Sequence, residues 1–109
     1  MKTGIELIAA ERERQITSEG WTAAQDDSHD YFEMSRAAAA YVEHVYARQW
    51  IIGDGRLDQY QAEGPDDTIW PDEWSMEWFK PKDAISDLVK AGALIAAEID
   101  RLQRKGADQ

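Results

Sequence analysis

The stretch "AISDLVKAGALIAAEIDRLQRK", residues 84–105, decides the fold. Ile85, Leu88, Val89, Gly92, Ile95, Ala96, Ile99 and Leu102 recur at three- and four-residue intervals, the repeat of a single helix face. Asp83 stands where an N-cap is expected, so the pattern predicts a helix over 83–105 with that stripe turned inward. Glycine inside a helix costs about 1 kcal/mol relative to alanine. Gly92, set among Ala91, Ala93, Ala96 and Ala97, therefore predicts a crossing too close for a larger residue.

The expected counterpart of that crossing is Ala37 to Ala40, inside a second helix read over residues 30–50. Asp30 and Glu33 are placed to cap it, Met34, Ala37, Ala38, Tyr41 and Val45 to face inward, and Arg48 to close the last turn, where a cation suits the helix dipole. His44 is read as a surface or packing residue. A first helix over residues 1–20 opens on Thr3 and Glu6, spaced as a capping box, and ends at Gly20. Ile5, Ile8, Ala9 and Ile16 share a face with Arg12, while Glu11, Glu13, Arg14 and Glu19 mostly take the other. Between the two helices, "GWTAAQDDSHD" (20–30) has the composition of a loop.

Periodicity disappears over residues 53–81, which Gly53, Gly55, Gly64, Pro65, Pro71 and Pro81 interrupt. Unstructured connections of this length are uncommon in a compact domain. Trp70, Trp74 and Trp78 argue against disorder, and Trp74 and Trp78, four residues apart, would share a face of a short helical turn around 72–79. The fold class that results is all-α. It is a single domain over 1–109, with a compact three-helix core and a long Trp-rich loop or short helical turn packed over it.

Charge narrows the range of functions. The net charge is −10, and residues 51–81 carry two Lys or Arg against eight Asp or Glu. Such a field repels phosphate backbones, so no direct nucleic-acid binding is expected, and a basic protein partner or a cation is favoured instead. Cysteine is absent, which removes disulfides and thiolate metal sites and suits a reducing, cytoplasmic setting. The charges at positions 11–14 interrupt what would be a signal-peptide core, and no apolar run is long enough for a membrane span.

Few residues can carry chemistry. "DDSHD" gathers Asp26, Asp27, His29 and Asp30, with Glu33 one turn on, a spacing that serves either helix capping or a ligand site. A magnesium-dependent nucleotide hydrolase would need Asp27, Asp30 and Glu33 to join Glu98 and Asp100. Residues two apart on a helix diverge, so no metal site, cofactor or catalytic residue is assigned. The tryptophans either close the small core or line a groove. With Lys80 and Lys82 beside them, Trp70, Trp74 and Trp78 would stack a planar ligand and pair its phosphate.

Six blocks, "IAAERERQITSEGW", "DDSHD", "AAAAY", "WP", "WFKPKD" and "DLVKAGALIAAEIDRL", resemble in order a group of small uncharacterised proteins and domains encoded by bacteriophages and prophages. The likeness spans nearly the whole chain. Over residues 1–35, the arginine-bearing helix leading into "EGWT" and then "DD" more distantly resembles the ryanodine-receptor repeat domain, a helical module thought to bind ligands or partners. Arg12, Trp21, Asp26 and Asp27 are the matching positions, and the later proline-containing block of that domain is lacking.

The resemblance implies a protein of the bacterial host's cytoplasm that acts on host machinery. The leading expectation is a non-enzymatic binding module for a nucleotide-like small molecule or a host protein. Its site would be a cleft between the Trp21–His29 loop and the Trp70–Lys82 segment, with Arg12, Asp26 and Asp27 contributing. One alternative is an acidic DNA mimic or anti-defence inhibitor that engages a basic host protein through Asp66, Asp67, Asp72 and Glu73. Another is the metal-dependent nucleotide hydrolase. A homo-oligomer is a further expectation, because a small chain can enlarge its core by association.

Overall fold

The computed structural model describes residues 1–106. Helices α1 (Gly4–Ser18), α2 (Ala23–Asp27), α3 (Glu33–Ala47), α4 (Gln49–Gly53), α5 (Leu57–Ala62) and α6 (Ala84–Lys105) follow one another, with a single 3₁₀ turn at Met76–Trp78. The described residues contain no strand, and α6 packs along both α3 and α1. The fold is therefore all-α, built on three long helices.

Local chemistry explains the helix ends. Thr3 and Glu6 exchange reciprocal side-chain bonds with each other's backbone N–H, which completes the expected capping box. Asp83 accepts from the Ser86 N–H at 2.7 Å, and Gly106 closes α6 in the left-handed region. The second helix departs from expectation. Phe32 precedes α3 with φ 62° and offers no side-chain cap; Glu33 instead accepts from the Tyr31 N–H at 2.8 Å. Asp30 does not cap α3, because the chain has already turned through α2. That short helix lies within the stretch read as loop, and Thr22 caps it by accepting from the Gln25 N–H.

The core is small and rich in alanine. Met34, Ala37, Ala38, Ala40 and Tyr41 of α3 meet Ala91, Leu94 and Ala97 of α6, and Trp70 and Phe79 close the cluster. Alanines on both sides bring the two backbones close. The helices run antiparallel, since Ser35 bonds Glu98 and Tyr41 lies under Lys90.

Two expected inward faces point elsewhere. In α6, Ile85, Leu88, Ile95 and Ile99 are exposed, while Asp87, Ala91, Leu94, Glu98 and Arg101 are buried. The buried charges have partners. Tyr60 Oη and the Lys82 N–H donate to Asp87, and Glu98 pairs with Arg101 at 2.7 Å while accepting from Ser35. In α1, Ile5, Ala9 and Ile16 are exposed and Gln15 is buried. Periodicity locates an apolar stripe, but it does not say which face a neighbouring helix takes. The alanine face of α6 admits a closer neighbour than its isoleucine face does. Gly92 also has a different counterpart. A Cβ there would lie 2.5 Å from Cδ1 of Ile8 on α1, not against the α3 alanines.

Residues 53–81 are more ordered than their sequence suggests. Arg48 ends α3, pairs with Glu63 at 2.6 Å and so folds α4 and α5 back against it. Arg36 on α3 then donates to the carbonyls of Ile69 (2.9 Å) and Thr68 (3.2 Å). Further along, the Lys80 N–H donates to Tyr41 Oη at 3.0 Å. The Trp-bearing segment is thereby fixed to α3 at both ends.

Candidate functional site: an aromatic cavity under the tryptophan segment

The three tryptophans divide between core and surface. Trp70 is 3% exposed, and its indole N–H donates to the Ser75 carbonyl at 3.2 Å. Trp74 is half-buried, 5.7 Å from the Trp70 ring and 5.9 Å from that of Trp78, which is 57% exposed. The 3₁₀ turn sets this spacing. Its N-cap, Ser75, accepts from the Glu77 N–H and turns Trp78 back toward Trp74.

Opposite these rings stands the chain between α1 and α3. The Trp21 N–H donates to the carbonyl of buried Gln15 at 3.0 Å, and Arg12 reaches Asp26 at 2.6 Å, so α2 is held against α1. Asp27 pairs with Arg104 at 2.7 Å and ties α2 to the end of α6. His29 meets Trp74 edge to face at 5.3 Å, which bridges the two sides.

Between them lies a cavity of about 350 Å³. Trp21, Trp70, Trp74, Trp78 and Tyr41 supply aromatic walls, Met34, Ala37 and Leu94 the floor, and Lys80 and Lys90 the cations. Arg14 and Glu19 stand at its lining too, joined at 2.7 Å. Lys90 is half-buried where Lys80 is exposed, and unlike Arg14 it has no carboxylate held against it among the described residues. Arg14 is also bonded to Glu11 at 2.8 Å, which holds that carboxyl below the usual range and keeps Arg14 charged. The Lys90 ammonium lies 5.4 Å from the Tyr41 ring centroid. Among the described residues no carboxylate forms an ion pair with it. Burial pushes its pKa down, opposed by the field of Glu11. Burial likewise raises Tyr41 to about 12, so its hydroxyl stays protonated over α6.

The cavity gathers Trp21, Asp26, His29, Trp70, Trp74, Trp78 and Lys80 of the residues expected from sequence. Arg12 stands behind the wall, bonded to Asp26 and 3.4 Å from Gln15 Oε1. Asp27 faces α6, and Lys82 is exposed, with its backbone N–H held by Asp87. Arg14, Tyr41 and Lys90 also line the cavity, with no sequence pattern that marks them for it. Lys90 sits in the strongest helical pattern of the chain, on a face for which no partner was foreseen. Its signal was a lone lysine beside Ala91 and Ala93.

The remaining carboxylates do not converge. Asp27 and Glu98 are taken up by Arg104 and Arg101, and Glu33 by its own turn. No group of three or more His, Asp or Glu side chains among the described residues has the geometry of a metal site. No helix of the described residues is long and apolar enough to cross a membrane. No known protein family, curated protein or solved structure matches the chain.

Proposed function

We propose that the chain is a non-enzymatic binding module, of the phage type its sequence blocks resemble, whose cavity takes a planar ligand bearing an anionic group. A nucleoside monophosphate has that chemistry. The observation that carries this reading is the Lys90 ammonium, half-buried beside aromatic walls and with no carboxylate partner among the described residues. Aromatic boxes also hold cations, but here a cation of the chain itself already occupies the Tyr41 face. An anion reaching Lys90 would restore the charge balance that burial disturbs, while Trp74 and Trp78 offer faces to a ring.

Nucleoside monophosphates titrated calorimetrically, and by tryptophan fluorescence, test the reading. Binding is expected to weaken at least tenfold in Lys90→Met and in Trp74→Ala, and for the nucleoside or inorganic phosphate alone. Absence of binding by every nucleotide, or equal binding by Lys90→Met, contradicts it.

The acidic-inhibitor reading draws less support. Asp54, Glu63 and Asp72 of the acidic segment pair with Arg56 (3.4 Å), Arg48 (2.6 Å) and Arg36 (3.9 Å), and Asp66 accepts from Thr68. Two of the four carboxylates that reading names, Asp66 and Asp72, are thus already engaged within the chain.

A further inference from the structure

The outward face of α6 carries several exposed apolar side chains that the cavity does not use. Ile85 is 69% exposed, Leu88 45%, Ile95 46% and Ile99 50%. With Gly92 and Leu102 these residues follow one another at alternating steps of three and four, the spacing of a helix-to-helix seam. Gly92 itself is covered by Ile8, which leaves Ile85, Leu88, Ile95 and Ile99 as a ridge. Beside the ridge runs a groove along α3, lined by Ala38, Ala39, Val42 and Tyr46, with Ile95 at its edge. Val42 is 43% exposed and Tyr46 73%.

Ridge and groove thus lie side by side on one surface, an arrangement that complements itself under a two-fold axis. From this we infer that the chain forms a homodimer in which the α6 ridge of each copy enters the α3 groove of the other. Charge does not oppose a second copy at the groove. Glu43 is the one charged side chain lining the groove, and Arg48 lies 3.5 Å from it. The groove is therefore near neutral, so two copies of net charge −10 can meet there without like charges facing each other, whereas a basic partner would be drawn to the acidic residues 51–81. Area agrees as well. The six exposed side chains present on the order of 600 Å² per copy, most of the roughly 800 Å² that each partner contributes to a standard interface. That is at the upper end of what a monomer commonly leaves in one apolar patch, roughly 300–600 Å².

Sedimentation velocity of the whole chain, from low micromolar to several hundred micromolar, reads the association directly. The expected mass is twice the 12.4 kDa of one chain. Ile95→Glu should return it to a single chain with unchanged far-ultraviolet circular dichroism, because that side chain is already half in water. The chain has no cysteine, so a disulfide between Val42→Cys and Ile95→Cys copies, mixed and oxidised, reports the ridge meeting the groove. The inference is overturned by a single-chain mass at every concentration, by a dimer that Ile95→Glu leaves intact, or by failure of that mixed disulfide to form.

Discussion

His44 shows how much a single side chain settles. It is fully buried, and its Nε2 lies 2.9 Å from the Tyr60 carbonyl oxygen, which can only accept, so Nε2 carries the proton. Nδ1 is then a buried lone pair with no partner, and burial depresses the pKa of the ring. The neutral form belongs to the fold, whereas the unfolded chain takes up a proton as pH falls below about 6.5. Stability should therefore drop between pH 7.5 and 5.5. Urea midpoints would show the slope, and His44→Gln should flatten it. Asp87 works in the opposite direction, since burial raises its pKa and the folded state holds its proton more tightly. The tryptophans divide in a similar way. Trp70→Ala empties a filled core site and should cost about 3–5 kcal/mol, while Trp78→Ala should cost less than about 1 kcal/mol and act on ligand affinity instead. Chemical denaturation of the two variants separates core from wall.

At the level of elements, Gly92 and Arg36 make the sharpest demands. Gly92→Leu would drive a side chain into Ile8 and should destabilise by about 1–3 kcal/mol, with α1 the element displaced. Trimming the neighbour in Ile8→Ala/Gly92→Leu should recover part of that loss in the same melts. Arg36 holds the Trp segment by two carbonyls, so Arg36→Met leaves those oxygens unpaired and should cost about 1–3 kcal/mol. Hydrogen exchange should then quicken in residues 66–80 and leave α6 protected. The sequence revealed the three long helices because capping residues and periodicity act locally: Thr3, Asp83 and Gly20 mark ends within one turn of the helix they bound. It did not reveal α2, α4 or α5. Helices of five or six residues show too little period, and here they are fixed by distant partners such as Arg104 for α2 and Arg48 for α5. Which face of α6 points inward was equally hidden, because Asp87, Glu98 and Arg101 look like solvent residues until Tyr60, Lys82 and Ser35 supply their bonds.

For the whole molecule, the main consequence is a division of labour between the two sides of the α3–α6 layer. One side carries the cavity, the other the ridge and groove proposed to pair with a second copy. The approximate position of the cavity was legible, since the Trp21–His29 and Trp70–Lys82 stretches set aromatic rings beside charged residues outside any clear helical period. Its cation was not, because Lys90 reaches the site only through the antiparallel packing of α6 on α3. The most direct measurement follows the indole N–H resonances of the ¹⁵N-labelled chain as a nucleoside monophosphate is added. The account predicts that the signals of Trp21, Trp74 and Trp78 move together to saturation while that of Trp50, stacked on Arg56 away from the cavity, stays in place. Saturation that shifts Trp50 alone, or no shift at any indole with any nucleoside monophosphate, would contradict it.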